Sequence, residues 1–330
     1  MYSLPPGSAA PSGRFAWYCD PCSASATFLP AAPFLIYMEV TLLGTGDTTG
    51  TPTVGCECET CCRARSPSPA LRDRLRDNGA TITAGGGVER TRFAVLVRNE
   101  RTDKSLLIDF SPDFRQQFLR EGVSPPDEAV ITHIHFDHLD GLGNVYRLLR
   151  SIDVHAPDEL DPATGASVAE TVATDYAYLD PVTVRPETPF EPFTACGFEL
   201  TLVPVEHPPL ACYGLTVVEP ETGVKLSLTG DSAYNIPDQS RAVLSDPDLL
   251  LADALVPASL CDKHPLGGAH HDADGTPRTF GTKHMTREGA LSLAEELDAN
   301  QTRLVHIAHF YPAAEAFVSP LAVDGEQFLL

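Results

Sequence analysis

Between Thr132 and His138 the chain reads Thr-His-Ile-His-Phe-Asp-His, so three imidazoles and a carboxylate fall within six residues, directly after the apolar run Ala129–Thr132. In extended backbone, residues two apart point the same way. His133, His135 and Asp137 therefore share one face, Ile134 and Phe136 are free to enter the core, and His138 follows where the chain turns into a helix. One metal ion does not easily take four such side chains; two can. Imidazole together with carboxylate suits Zn, Mn or Fe. Surface histidines satisfied by solvent are the plainer reading, but this many ligand types crowded at one strand end argue against it.

A second cluster, Cys56-Glu57-Cys58-Glu59-Thr60-Cys61-Cys62, has the spacing CxCxxC. Three such thiolates with a distant histidine make a four-coordinate structural zinc site, closed to substrate. His309, three residues after His306, could close it. Cys62 either competes as a ligand or packs. Buried unligated thiols are the alternative. A separate Cys19-x-x-Cys22 is weak evidence for zinc.

The patterning that must hold these residues starts at Met38. Met38–Gly44 reads as a strand, and residues 66–90 are polar and Gly-rich. Two strand-like runs follow, Phe93–Val97 and Ser105–Asp109. Ser111-Pro112 opens a helix that stops at Gly122, and another helix runs from about His138 to Arg150. Residues 157–195 carry one candidate helix and Pro-rich connections. Strands resume at Phe198–Val205, Tyr213–Val218, Val224–Thr229 and Leu249–Leu251. Residues 262–283 read as a long loop, followed by a helix from about Arg287 to Asp298 capped by Thr286 and a final strand, Arg303–His306. Two strand-rich halves flanked by helices imply sheet-on-sheet packing with the helices outside. Residues 1–37, rich in Pro, Ala and Ser and holding Trp17, show no period. They are expected to be an unstructured or non-native extension to one domain spanning 38–330.

The formal net charge is −22, with 23 basic residues of which four are lysines (Lys104, Lys225, Lys263, Lys283). Such a surface repels nucleic acid phosphate, so nucleic acid is not an expected partner. The acidic, Lys-poor balance resembles cytoplasmic proteins of extreme halophiles. No run of eighteen apolar residues appears, so no membrane span is expected. No charged n-region precedes an apolar stretch at the start, which makes a reducing cytoplasm the expected compartment.

The HxHxDH motif resembles the signature of the metallo-β-lactamase superfamily, and the rest of the chain follows in order. Gly44-Thr45-Gly46 is similar to that family's opening turn. His207, after Leu200–Val205, matches the next metal histidine. Asp231, in Leu228-Thr229-Gly230-Asp231-Ser232, matches the bridging aspartate. His306, in Leu304-Val305-His306-Ile307, matches the last ligand. The resemblance implies an α/β fold of the αββα sandwich type. It places one metal on His133, His135 and His207, a second on Asp137, His138 and His306, and Asp231 between them. Two divalent ions there, Zn or Mn, would lower the pKa of a shared water and clamp the oxygens of the attacked group.

Joined to Cys56, Cys58, Cys61 and His309 as a structural zinc site, the pattern from about Met38 to Tyr311 is most similar to the phosphoribosyl 1,2-cyclic phosphate phosphodiesterase family of phosphonate breakdown. Insertions fall at 66–90 and 157–180. That likeness implies hydrolysis of a small, cyclic ribose phosphodiester by hydroxide drawn from the metal pair. It implies Asp137 and His284 as catalytic side chains, with His284 contacting phosphate and assisting the leaving group, and a homodimer. The plainer reading of His284 is a helix-entry histidine contacting backbone. His264, His270 and His271 read as substrate-loop or solvent residues, and His155 as structural.

Rival readings remain. An RNA-processing nuclease of the superfamily needs a basic arm, and none is found. Thioester or lactone hydrolysis is permitted by the ligands alone. Redox diiron relatives carry Glu where this chain has His135. A non-catalytic, zinc-stabilised binding module should have lost ligands, whereas all seven are present. From the patterning, a chain beginning at Met38 should fold and keep its activity; insolubility or inactivity of that truncation would show that the first segment packs.

Overall fold

The structure is a computed structural model, and it describes residues 37–330. The segment before Tyr37, with Trp17, Cys19 and Cys22, lies outside the described residues. From Met38 onward, apolar residues repeat with the period of strands. The first half contains β1 (Met38–Gly44), α1 (Glu59–Arg65), α2 (Pro69–Asp77), β2 (Ala94–Asn99), β3 (Lys104–Ile108), α3 (Phe114–Glu121), β4 (Glu128–Val130), α4 (Phe136–Leu139), β5 (Ile152–Pro157), α5 (Val168–Asp175) and β6 (Val182–Glu187). The second half adds β7 (Phe193–Ala195), β8 (Phe198–Val205), β9 (Cys212–Val218), β10 (Lys225–Leu228), α6 (Asp238–Leu244), β11 (Leu249–Asp253), β12 (Gly268–His271), β13 (Pro277–Phe280), β14 (His284–Met285), α7 (Arg287–Glu296), β15 (Thr302–Val305) and β16 (Gln327–Leu329).

These strands form a seven-stranded sheet, β16-β1-β2-β3-β4-β5-β6, and a six-stranded sheet, β15-β11-β10-β9-β8-β7. β11 shows why they stack. Leu249 and Leu251 join the core between the sheets, whereas Leu250 and Ala252 point into a second core beneath the helices. That alternation follows from the two-residue repeat of a strand buried on both faces. Leu293 of α7 and Leu244 of α6 fill the outer core of the second sheet. Phe114 and Phe118 of α3 and Val172 of α5 pack with the main core from the other side. Helices outside and two sheets inside make the expected αββα sandwich.

Local departures have physical causes. The helix expected from His138 to Arg150 ends at Leu139 and gives way to a 3₁₀ stretch over Asp140–Val145. A Cβ on Gly141 would lie 1.9 Å from the Ser111 carbonyl oxygen, so the chain is pressed against the loop before α3 and cannot continue as a regular helix. The expected loop 262–283 holds β12 and β13, which form a small sheet with β14 just beyond it; these short strands carry little periodic signal. Within 157–195 the candidate helix is α5, and β6 and β7 lie where the sequence reading expected Pro-rich connections. α3 starts at Phe114, after Asp113, and ends at Gly122 in the left-handed region. The polar segment 66–90 is also tied down. Leu71 and Leu75 of α2 are buried, and the fully buried Arg90 guanidinium donates to the Ala322 carbonyl at 2.9 Å.

The C-terminal strand β16, not foreseen from the sequence, pairs with β1. Just before it, the buried Asp324 carboxylate accepts from Thr45 N (2.9 Å), Thr45 Oγ1 (2.7 Å), Thr91 N (2.7 Å), Thr91 Oγ1 (2.7 Å) and the Arg120 guanidinium (2.9 Å). This one side chain holds the Gly44-Thr45-Gly46 turn against the rest of the first sheet. Asp324→Ala would leave four buried donors without this acceptor and take one of two carboxylates from Arg120, which keeps Glu121, so stability should fall by at least about 2 kcal/mol. Urea unfolding checks this; a change under 1 kcal/mol would mean the network is dispensable.

Candidate metal centre

Strand ends bring the chemistry together. His133 and His135 follow β4, His207 follows β8, Asp231 follows β10 and His306 follows β15. The extended run ends at His135, which stands at the N-terminus of α4 with φ −62° and ψ 145°. Asp137 and His138 therefore reach the centre from the first helical turn, not from a strand as the spacing suggested. Ile134 packs against the core as expected, but Phe136 does not: it is 48% exposed.

The donors fall into two groups. One ligand atom each from His133, His135, His207 and Asp231 lie within 4.8 Å of one another, as do those of Asp137, His138 and His306. Asp231 Oδ2 stands between the groups, 3.7 Å from His133 Nε2, 3.4 Å from His138 Nε2 and 3.3 Å from His306 Nε2. Two ligands about 2.1 Å from one metal in a tetrahedral array stand about 3.4 Å apart, so these spacings suit shared cations.

Outer partners fix which nitrogen faces inward. Asp109 accepts from Thr132 N (2.8 Å), Thr132 Oγ1 (2.8 Å) and His138 Nδ1 (2.7 Å). With its proton given to Asp109, Thr132 Oγ1 accepts from His133 Nδ1 at 3.0 Å. His207 Nδ1 donates to the Lys283 carbonyl at 3.0 Å. His133 and His207 thus turn bare Nε2 lone pairs toward His135 Nδ1, at 3.0 and 3.3 Å. One proton on His135 cannot satisfy both, and a cation at their focus would. Both ring nitrogens of His306 and Nε2 of His138 are buried without any hydrogen-bond partner. Such orphaned atoms are costly unless something occupies the space between them. The residues present therefore fit a pair of divalent cations.

The electrostatics agree. Burial holds His133 well below the ordinary imidazole range and His207 at about 3, which keeps their lone pairs free. His138 and His306 are also penalised by burial. Asp231 leads the groups that nonetheless lift His138 well above the ordinary value and His306 to about 9. Burial opposes ionising Asp137 and Asp231, but the surrounding imidazoles hold Asp137 at about 2 and Asp231 well below the usual range. A positive charge is favoured where the carboxylates meet His138 and His306, and a metal ion would replace the protons there.

His284 lies at the rim. Its Nδ1 donates to the buried Asp253 carboxylate at 2.8 Å, and one of its donor atoms groups with those of Asp231 and His306. It contacts no backbone acceptor of the helix it precedes. Asp253 also accepts from Ser232 N at 3.0 Å. Sequence reading missed both Asp109 and Asp253. Asp253 is the last residue of β11 and Asp109 directly follows β3, each after a run of at least three apolar residues, and a carboxylate in that position at the histidine-bearing end was the available signal. His155 is held by Glu187 (2.7 Å) and Glu128 (3.2 Å), away from these groups. His264 and His271 join none of these clusters among the described residues, and His270 lines a separate cavity.

The cysteine cluster is a third group. Cys56, Cys58 and Cys61 Sγ stand 3.4, 3.5 and 3.5 Å from His309 Nδ1. With Zn–S about 2.3 Å and Zn–N about 2.0 Å, a tetrahedral S···N edge is about 3.5 Å, so the donors have the spacing of a closed zinc site. Burial pushes the Cys61 thiol up to about 12, so it would lose its proton only against a cation. Cys62 turns away, its sulfur 3.4 Å from the Glu57 carbonyl.

Comparison with known proteins follows this geometry. The chain is 27% identical to an octanoyltransferase of Porphyromonas gingivalis over 278 residues, 83% of this chain but 47% of that protein's length. It is 29% identical over 324 residues to coenzyme PQQ synthesis protein B of Methylobacterium radiotolerans, covering 88% of this chain and 95% of that one. Among solved structures, a diphosphatase from the PhnP family is similar with a TM-score of 0.64 and 27% identity, covering 89% of this chain and 97% of that chain. Zn(2+)-bound PqqB from Methylobacterium extorquens shares the fold, with a TM-score of 0.62 and 19% identity over 88% of this chain and 100% of that one. The family model of the beta-lactamase superfamily domain matches residues 104–307, more than half of the described sandwich and of the whole chain, and by that match the chain belongs to the β-lactamase superfamily.

Proposed function

We propose that this protein is a metal-dependent hydrolase of a small phosphodiester. The observation that carries the reading is the pair of donor groups sharing Asp231, with His284 held at their rim by Asp253. His133, His135 and His207 would hold one divalent ion, Zn or Mn, and Asp137, His138 and His306 the other. Such a pair lowers the pKa of water and neutralises charge on phosphoryl oxygens. Cys56, Cys58, Cys61 and His309 would hold a structural zinc.

The chain's own residues do the rest. Asp109 orients His138 and, through Thr132, His133. The Lys283 carbonyl fixes the tautomer of His207. Asp253 fixes the His284 ring so that Nε2 is the nitrogen left to meet substrate. There an imidazolium can donate a proton to the departing oxygen as the ester bond breaks. Asp137 serves as a ligand and holds charge beside His306. The similar diphosphatase favours a second reading, in which the bond cut is a phosphoanhydride. The same residues would serve it, and a substrate panel holding both separates the two.

Purified, reconstituted protein should carry about three metals per chain; one or fewer by elemental analysis would end the two-centre assignment. His306→Asn, chosen because asparagine tolerates the left-handed φ of 56° there, should lose catalytic-site metal and at least about 100-fold in turnover, since even outer-shell changes cost 10–100-fold. His309→Ala should release zinc and lower the melting temperature by about 5 °C or more. Equal melting shifts for the two variants would contradict the division of labour.

His284→Ala should slow a poor leaving group, such as the alkoxide of a ribose cyclic phosphate, at least about tenfold more than a 4-nitrophenolate. Turnover on both ester types at matched metal content reads this out. Equal losses would remove His284 from proton transfer.

A further inference from the structure

The zinc reading uses three thiols of the cysteine cluster and leaves the fourth without a task. Cys56, Cys58 and Cys61 turn their sulfurs to His309, whereas the Cys62 thiol donates to the Glu57 carbonyl at 3.4 Å. Cys58 and Cys62 are exposed. Cys61, Cys196, Cys212 and Cys261 are buried, and Cys56 is half-buried. Among the described residues, the thiols open to a dissolved oxidant thus lie in one short segment, and exposure is what lets an oxidant reach sulfur.

The two exposed thiols are also neighbours. The Cys62 amide donates to the Cys58 carbonyl at 2.9 Å, the opening hydrogen bond of α1. Residues four apart on a helical turn have Cα atoms about 6 Å apart, within the span of about 4.4–6.8 Å that a disulfide bridges. Cys58 itself stands before the regular helix with extended backbone, φ −61° and ψ 157°, so the chain can yield on that side as the sulfurs meet. Arg65 supplies a third element. Its guanidinium donates to the Cys62 sulfur at 3.7 Å and to the Cys56 carbonyl. A cationic donor so placed would face the oxygen that an oxidant leaves on Cys62.

We propose that Cys62 is a hydroperoxide-sensitive thiol whose oxidation draws Cys58 into a disulfide and releases the structural zinc. The Cys62 sulfur bonds one oxygen of hydrogen peroxide, the O–O bond breaks, and the other oxygen leaves as water with the thiol proton. The Cys58 thiolate then attacks the Cys62 sulfur. The S–S bond forms as the S–O bond breaks, and the departing hydroxide takes a proton from solvent. Two electrons pass from the two sulfurs to the peroxide. Cys56, Cys61 and His309 remain, one donor short of the closed tetrahedral set that holds such an ion. The switch rests on the structural-zinc reading.

The test treats the zinc-loaded full chain with hydrogen peroxide beside Cys62→Ser. A chromogenic chelator reports released zinc, and peptide mapping locates the disulfide. The wild type should release about one zinc per chain together with a Cys58–Cys62 bond, and dithiothreitol with added zinc should reverse both. Cys62→Ser should hold its zinc before treatment and release it at least about tenfold more slowly under peroxide. Equal release rates would overturn the proposal, as would a disulfide that leaves Cys62 out. A variant already short of zinc before treatment would also overturn it, by making Cys62 a ligand. Elemental analysis before any peroxide is added decides the zinc reading separately: wild type without that zinc ends the reading and the switch together, whereas zinc present with equal release ends the switch alone.

Discussion

Asp231 Oδ2 lies 3.3 to 3.7 Å from three imidazole nitrogens contributed by the β4 and β15 ends of different sheets. Burying a carboxylate and five imidazoles in one place is unfavourable unless their charges and lone pairs are met. Direct hydrogen bonds do not meet them: Nε2 of His138 and both ring nitrogens of His306 have no partner, and three others face one another across a common focus. Much of the surrounding architecture can be understood as holding this arrangement open, when free side chains would turn away to water or pair with each other.

What holds it is a layer of buried carboxylates and carbonyls behind the imidazoles. Asp109 directly follows β3 and grips the loop after β4; Asp253 ends β11 and grips the His284 strand and the Asp231 loop. Both the Asp109 backbone (φ 61°) and that of His306 (φ 56°) are in the left-handed region. Non-glycine residues rarely adopt it, and it persists where surrounding contacts over-determine the backbone. The outer layer fixes tautomers, and tautomers decide which lone pairs reach the centre.

The β15 exit loop carries two duties. His306 turns inward to the carboxylates, and three residues later His309 turns to the thiols of the α1 loop. Thr60 of α1 donates to the Tyr311 carbonyl at 2.6 Å, which fastens the same loop to the cysteine segment. Metal bound at the cysteines would thus stiffen the backbone that presents His306, coupling folding to the chemistry at the rim.

The histidine motif, the CxCxxC spacing and the alternation of strands such as Phe198–Val205 were legible in the sequence because each is a local regularity. Spacing alone brings His133 and His135 together, and a two-residue period alone tells which strand face is apolar. The sequence also determined the acidic charge balance of the chain. The short polar strands β12 to β14 and the late strand β16 left no such trace, since their pairing partners, not their own periodicity, make them strands. The turn of α4 that delivers Asp137, the truncation of the following helix at Gly141 and the exposure of Phe136 depend on what the chain meets in space. So do the roles of Asp109 and Asp253. A carboxylate becomes a support for a histidine only when a strand 29 or more residues away in sequence is folded beside it, as Asp109 is beside His138 and Asp253 beside His284, and that is a decision tertiary structure alone can make.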